Sequence, residues 1–230
     1  MVPGPDSKLS DTSVLSNSVK ALASHIKSQN QKNAWPNGKQ VKFFRFGNEP
    51  DNAQFWKGTK QDFFETYATF AKTLKSVDSS FIIDGPGLMI GDINHKDSWV
   101  KDFLEYSNKN NAPVDLFSTH TYSPLPYSFY KQFSMLQTEV NKYPNLSPIY
   151  GAPRISNDEW LIMFGDVWSG SYSKQFDTAW LASHAVAALI NMVDQGLALS
   201  TAMSGIVSDS DNCHDYSLID CEGDGKPGFY

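Results

Sequence analysis

The chain has 230 residues, of which 40% are hydrophobic and 13% aromatic, and its formal net charge is -6 at pH 7. This length can bury the core of one domain or of two. The acidic balance argues against a nucleic-acid partner, and no apolar stretch approaches the ~18 residues of a membrane span. Motifs for dinucleotides, nucleotide phosphates, zinc and serine nucleophiles are all missing, so we expect no cofactor and no catalytic metal.

Segments with helical spacing alternate with short apolar segments along the whole chain. After a loop over 1–9, we predict helices over 10–26, 60–76, 97–109, 128–142 and 175–194. The apolar run over 41–46 predicts a fully buried parallel strand. Further strands are predicted over 81–83, 114–119, 149–156 and 199–207. The polar loop over 51–58 carries an adjacent Phe and Trp that we expect to be exposed.

This alternation is typical of βαβ units and predicts one domain, residues 1–230, with a parallel sheet. Such a sheet is either open and doubly wound or closed into a barrel. Polar or ionisable residues recur where the strands end, namely Glu49, Asp84, His120 with Tyr122, and Glu159. A ring of such groups is characteristic of the C-terminal face of a (β/α)8 barrel. We therefore favour the barrel.

Two of these residues, Glu49 and Glu159, are glutamates, and a pair of carboxylates is the minimum apparatus for cleaving a glycosidic bond. One carboxyl group donates a proton to the leaving oxygen, while the other stays ionised and attacks or stabilises the reacting carbon. Burial raises the pKa of one group, and hydrogen bonds lower that of the other. The pattern therefore indicates a glycosidase.

The residue types around this pair suit sugar binding. Asn48 can donate a hydrogen bond to a sugar hydroxyl, Tyr122 can hold the ionised carboxylate, and His120 can position either acid. Trp160 or Trp168 can supply a flat wall for a sugar ring. We predict Asn48, His120, Tyr122 and Trp160 as substrate-binding residues.

Each of these assignments has a purely structural alternative. Glu49 is also compatible with a turn acid that faces solvent, and His120 with a hydrogen-bonded histidine of the core. Tyr122 is equally compatible with a packed aromatic at the rim of a barrel. A slip of one residue in strand register would exchange Glu159 for its neighbour Asp158.

The C-terminal segment holds two features that the chemistry does not use. Cys213 and Cys221 are close enough in sequence for a short disulfide loop, which would need an oxidising compartment; two free thiols are the alternative. The acidic residues over 209–224 have the oxygen density of a calcium loop without the spacing of an EF-hand. We expect an extracellular or secretory location, although the N-terminus lacks the features of a signal peptide.

Several stretches resemble known sequences. Phe46-Gly-Asn-Glu-Pro-Asp51, followed by Phe55-Trp-Lys-Gly58, is similar to the acid/base segment of clan A glycoside hydrolases. The family with the greatest similarity is glycoside hydrolase family 39, which holds β-xylosidases and α-L-iduronidases. Val114-Asp-Leu-Phe-Ser-Thr-His-Thr-Tyr122 resembles its sixth barrel strand. Ile155-Ser-Asn-Asp-Glu-Trp160 resembles its seventh, where Thr-Glu-Trp is more usual.

The resemblance implies roles for individual residues. Glu49 would be the general acid/base and Glu159 the nucleophile, while Asn48, His120 and Tyr122 would surround the substrate. The chain departs from the family pattern at two places. Gly47 stands where the family usually has Trp, and Asn157-Asp158 replaces the residues expected before the nucleophile.

The resemblance covers roughly residues 41–207 and implies that Asn-Glu-Pro ends the fourth strand of a barrel. We therefore expect an α/β fold, a partial (β/α)8 TIM barrel with about strands 4 to 8 and their helices, without the first three βα units. The implied function is a retaining glycosidase that hydrolyses O-glycosidic bonds of a β-linked sugar by double displacement with two Glu. The alternative is a non-catalytic, carbohydrate-binding remnant of such a barrel, and whether the partial barrel is active stays open.

Overall fold

The computed structural model describes residues 12–161 and 179–201. Helices and strands alternate through these residues. In chain order they are α1 (Thr12–Gln31), β1 (Phe43–Arg45), α2 (Lys60–Val77), β2 (Ile82–Leu88), α3 (Val100–Lys109), β3 (Leu116–Tyr122), α4 (Pro126–Val140), β4 (Arg154–Leu161), α5 (Ala179–Asp194) and β5 (Leu197–Ser200). None of the helices in this part of the chain is long and apolar enough to cross a membrane.

The described residues fall into two compact units, one of 12–119 with 138–154 and one of 120–137 with 155–161 and 179–201. The boundary passes through β3, so the strand contributes its first half to one unit and its second half to the other. That the chain forms a single domain over 1–230 stays a prediction.

The sheet is parallel, and its strand order follows the chain order, β1-β2-β3-β4-β5. In the first unit β1 pairs with β2, with Phe44 opposite Ile83, and β2 pairs with β3, with Gly85 opposite Phe117. In the second unit β4 pairs with β5, and the register shifts just after Ile155. Each parallel pair needs a long crossover connection, and α2, α3 and α5 supply the helices of these crossovers.

An aromatic cluster between β1 and α2 forms much of the core of the first unit. The ring centroid of Phe46, just after β1, lies 4.9 Å from that of Phe70 and 5.7 Å from that of Phe63. Helix α2 begins with a capping box, in which the side chains of Thr59 and Asp62 satisfy backbone N–H groups of the first turn. This packing fixes the end of β1, where Glu49 follows.

A buried carboxylate, Asp115, links the beginning of β3 to three other segments. Its oxygens accept hydrogen bonds from the Ile83 N–H at 2.9 Å and from the Ser147 hydroxyl at 2.7 Å. The Lys75 ammonium lies 2.7 Å from the same carboxylate and also donates to the Phe81 carbonyl at 2.6 Å. Buried charges need such partners to be tolerated. The cluster therefore joins α2, β2, β3 and the segment 138–154.

The second unit is built on α4 and α5. Phe129 and Phe133 of α4 and Met192 of α5 are fully buried. The Asn191 side chain donates to the Pro126 carbonyl at 3.0 Å, which links α5 to the first residue of α4. Gly196 follows α5 with φ of 84° and lets the chain turn directly into β5.

Two predictions about aromatic side chains were wrong. Phe43 is 55% exposed, so the run over 41–46 is not buried on both faces. Successive side chains of a strand point to opposite faces, and only Phe44 and Phe46 face the aromatic core. Trp56, predicted to be exposed, is 8% exposed. It packs edge-on against Phe63 and donates its indole N–H to the Thr59 carbonyl.

Strand boundaries also differ from the prediction. The strand predicted over 149–156 begins at Arg154 and continues to Leu161, so Glu159 lies inside β4 and not after it. A turn closed by the Ser147–Gly151 bridge occupies the residues before it. Strands β2 and β3 likewise extend past their predicted ends, which places Asp84, His120 and Tyr122 within strands. The loop over 1–9, residues 202–207, Trp168, the acidic segment and both cysteines lie outside the described residues.

Replacing Lys75 by Met should lower the free energy of unfolding by about 3–5 kcal/mol, because it leaves the Asp115 carboxylate buried without its cation. The side chains of this pair are 10% and 0% exposed. As a control, Lys60→Met removes a pair with Asp102 whose side chains are 42% and 49% exposed, and should cost less than about 1 kcal/mol. Urea denaturation followed by circular dichroism measures both, and equal losses would contradict the role given to Lys75.

Candidate active site

The turn after β1 holds Glu49 in an unusual backbone conformation. The φ of Glu49 is 45°, in the left-handed region, and its N–H donates to the Gly87 carbonyl at 2.7 Å. Gly47 has φ of 106°, and a Cβ atom added there would lie 2.2 Å from the Pro86 carbonyl oxygen. No side chain fits at position 47. The close approach of the turn to the end of β2 therefore requires the glycine that departs from the family pattern.

Two side chains after Glu49 stabilise this turn. The Asn52 amide donates to Oε2 of Glu49 at 3.3 Å. The Asp51 carboxylate accepts hydrogen bonds from the Met89 and Ile90 N–H groups, both at 2.8 Å. Burial raises the pKa of the Asp51 carboxyl group, although these N–H groups favour its ionised form. Glu49 is thus half-buried in a turn that is tied to the segment after β2.

In the second unit, the end of β3 lies beside the C-terminal half of β4. The Tyr122 hydroxyl donates to Oε1 of Glu159 at 2.5 Å. Nδ1 of His120 lies 3.7 Å from the same oxygen, while Nε2 lies 3.1 Å from Oδ2 of Asp158. The His120 side chain is 1% exposed and that of Glu159 is 23% exposed. The carboxylate of Glu159 is therefore oriented by the hydrogen bond from Tyr122, lies next to His120 and is still accessible, as a nucleophile or base must be.

Trp160 takes part in packing within the second unit. It is 4% exposed, its ring meets that of Phe129 edge-on at 5.8 Å, and its indole N–H donates to the Ser200 hydroxyl at 2.6 Å. Phe129 also contacts the ring of His184, where burial lowers the histidine pKa. A contact between Trp160 and a sugar stays a prediction.

The structure thus brings His120, Tyr122 and Glu159 together within one unit. Asn48, which is exposed, and Glu49 lie in the other unit. That the two glutamates act on a common substrate stays a prediction.

Sequence reasoning missed two partners of the predicted residues. Asn52 contacts Glu49 through a turn in which its N–H donates to the Glu49 carbonyl at 2.9 Å, and the Pro-Asp pair between them is a signal for such a turn. From the sequence, Asp158 is only an alternative to Glu159 through a slip in strand register. Neighbouring residues of a strand point to opposite faces, so the sequence does not predict that Asp158 and Glu159 both lie next to the imidazole of His120.

Comparison with known proteins identifies sequence relatives for most of the chain. A family model described as glycosyl hydrolases family 39 matches residues 11–215. The chain is 37% identical over 103 residues to a β-xylosidase of Geobacillus stearothermophilus, a match that covers 44% of this chain and 19% of that protein. It is 33% identical over 108 residues to a β-xylosidase of Caldicellulosiruptor saccharolyticus, covering 45% and 20%.

Solved structures show the same fold. A monomeric β-xylosidase from Caulobacter crescentus superimposes with a TM-score of 0.73 at 18% identity, covering 95% of this chain and 45% of that chain. A family 39 enzyme from Xanthomonas axonopodis pv. citri gives a TM-score of 0.73 at 19% identity, covering 95% and 44%. The chain spans less than half of these structures and about one fifth of the curated relatives it matches. The predicted partial (β/α)8 barrel is confirmed.

Replacing Gly47 by Ala should destabilise the chain by about 2–4 kcal/mol, because Cβ would collide with the Pro86 carbonyl in addition to the cost of a positive φ. Gly38→Ala is the matched control, since Gly38 has φ of 64° and no heavy atom within 4 Å of the added Cβ. It should cost only about 1–2 kcal/mol. Thermal unfolding compares the two, and a loss for Gly47→Ala no larger than the control would show that the turn has room for a side chain.

Proposed function

Because this chain belongs to glycosyl hydrolases family 39, we propose that it carries the two catalytic carboxylates of a retaining glycosidase that acts on β-linked sugars. The observation that carries the proposal is the contact between the Tyr122 hydroxyl and Glu159, at 2.5 Å. A tyrosine hydroxyl that donates to a carboxylate holds that group in one orientation, and the Glu159 side chain is still 23% exposed. An oriented and accessible carboxylate is what a nucleophile requires.

Glu159 is the proposed nucleophile. In the first step Oε1 or Oε2 attacks the anomeric carbon, the bond to the leaving oxygen breaks, and a covalent glycosyl ester forms. The position of Glu159 in β4 suits this role, because the hydrogen bond from Tyr122 restricts the motion of the carboxylate before it attacks. A carboxylate that is already oriented loses less freedom in the transition state.

Glu49 is the proposed general acid/base. It donates its proton to the departing oxygen in the first step and accepts a proton from the attacking water in the second. Glu49 follows β1 and Glu159 lies near the end of β4, and a (β/α)8 barrel collects the carboxyl ends of its strands at the catalytic face. Retention requires the two carboxyl groups to be ~5–5.5 Å apart. Asn48, exposed beside Glu49, is the proposed donor to a sugar hydroxyl.

A β-xyloside is the proposed substrate class, since two curated relatives are named β-xylosidases. An aryl β-D-xyloside is the probe to use first, because its good leaving group makes turnover visible even when general acid catalysis is weak. Retention is read directly from the anomeric configuration of the first-formed sugar by NMR. A first-formed α-anomer from the β-xyloside would contradict double displacement.

Azide rescue should separate the two roles. In Glu159→Ala the nucleophile is gone, so azide attacks the substrate itself and displaces the aryloxide with inversion, giving an α-xylosyl azide. In Glu49→Ala the covalent intermediate still forms, and azide attacks it from the other side to give a β-xylosyl azide. NMR of the azide products distinguishes them by the coupling constant of the anomeric proton.

Glu105→Ala, an exposed glutamate of α3, serves as the control and should hydrolyse the xyloside at the rate of the unchanged chain. Undiminished hydrolysis in Glu159→Ala, or one azide configuration from both variants, would overturn the assigned roles. Binding of a xylo-oligosaccharide by the unchanged chain with no turnover of any aryl glycoside would favour the carbohydrate-binding remnant instead.

A further inference from the structure

Asp158 is a buried acid next to the proposed nucleophile that the proposed reaction does not use. Its side chain is 4% exposed, and that of its partner His120 is 1% exposed. A carboxylate removed from water costs several kcal/mol unless it has hydrogen-bond or charge partners. The buried Asp158 carboxylate therefore needs a partner, and its contact with His120 constrains the position of the imidazole.

We propose that Asp158 is a positioning residue, which fixes His120 so that one edge of the imidazole faces Glu159. Oδ2 of Asp158 lies 3.1 Å from Nε2 of His120, and Nδ1 of the same ring lies 3.7 Å from Oε1 of Glu159. We assign the hydrogen of this contact to Nε2, with the Asp158 oxygen as the acceptor. The proposal rests on the proposed function in that Glu159 is the group to be positioned.

The backbone around Asp158 is held from the other side by the end of β5. The Thr201 N–H donates to the Asn157 carbonyl at 3.0 Å, and the Thr201 hydroxyl donates to the Asp158 carbonyl. The Asn157 amide also contacts Met192 Sδ at 3.1 Å. With its backbone anchored in this way, the Asp158 carboxylate is a fixed point against which the imidazole can be aligned.

The two side chains of β3 next to Glu159 act on Oε1 in different ways. Tyr122 donates to this oxygen at 2.5 Å, whereas His120, with its hydrogen on Nε2, turns a bare Nδ1 toward it at 3.7 Å. Loss of Asp158 should let the imidazole carry its hydrogen on Nδ1, where it would compete with Tyr122 for Oε1 and disturb the alignment of the nucleophile. No group that contacts the sugar is removed.

The tautomer of His120 is the direct readout, and it does not depend on catalysis. The chain has five histidines, so ¹⁵N-labelled histidine with a long-range ¹H–¹⁵N correlation spectrum at neutral pH resolves them, and His120→Gln assigns the relevant signal. We expect a hydrogen on Nε2 of His120 in the unchanged chain and in Asp158→Asn, whose side-chain oxygen still accepts. Asp158→Ala should show a mixture with the Nδ1–H tautomer.

Steady-state kinetics on the aryl β-xyloside then test whether the change of tautomer impairs the nucleophile Glu159. In Asp158→Ala, kcat should fall by up to about 100-fold with little change in KM, because orientation is lost and not binding. Asp158→Asn should restore most of kcat. Asp194→Ala, an exposed acid at the end of α5, should change neither readout. If Asp158→Ala does not fold, Asp158→Val tests the same loss with a side chain that suits a strand and accepts no hydrogen bond.

An unchanged His120 signal in Asp158→Ala or Asp158→Val would overturn the proposal, as would equal losses of kcat in Asp158→Ala and Asp158→Asn. If the unchanged chain shows no turnover, the proposed function fails, but the tautomer measurement still decides whether Asp158 fixes His120.

Discussion

The buried carboxylate of Asp115 is the interaction on which the arrangement of the first unit depends. It lies immediately before β3, is fully buried, and is joined to Lys75 of α2, to the Ile83 N–H of β2 and to the Ser147 hydroxyl. Replacement by an apolar residue of the same shape is often neutral for a buried ion pair, but loss of one partner is costly. Because β2, β3 and α2 all converge on this group, it sets the position at which β3 enters the sheet.

The two ends of β3 have different tasks. Immediately before the strand, Asp115 accepts a hydrogen bond from the Ile83 N–H and pairs with Lys75, which holds β2 and α2 together. At its end, His120 contacts the buried Asp158, and Tyr122 donates to the accessible Glu159. In (β/α)8 enzymes the C-terminal ends of the strands carry the chemistry, while the opposite ends serve stability. The polar groups of β3 are consistent with that division.

The sequence predicted the order and type of the elements, because hydrophobic spacing distinguishes helices from strands. It also predicted that Tyr122 lies beside one of the two carboxylates, and in the structure its hydroxyl donates to Glu159; the catalytic role of this contact stays a prediction. It did not predict the burial of Trp56, the exposure of Phe43 or the contact between Asp158 and His120. Each of these depends on which tertiary neighbour a side chain meets, and local spacing does not contain that information. The need for glycine at position 47 likewise became visible only through the carbonyl of Pro86.

Covalent trapping tests the identity of the nucleophile directly. A 2-deoxy-2-fluoro-β-xyloside with a good leaving group slows breakdown of the glycosyl ester, so the labelled residue can be identified by peptide mass spectrometry. We expect one fluorosugar per chain, attached to Glu159. A label on Asp158 or on any other acid, in a chain that turns over the aryl β-xyloside, would contradict the assignment of Glu159 as the nucleophile.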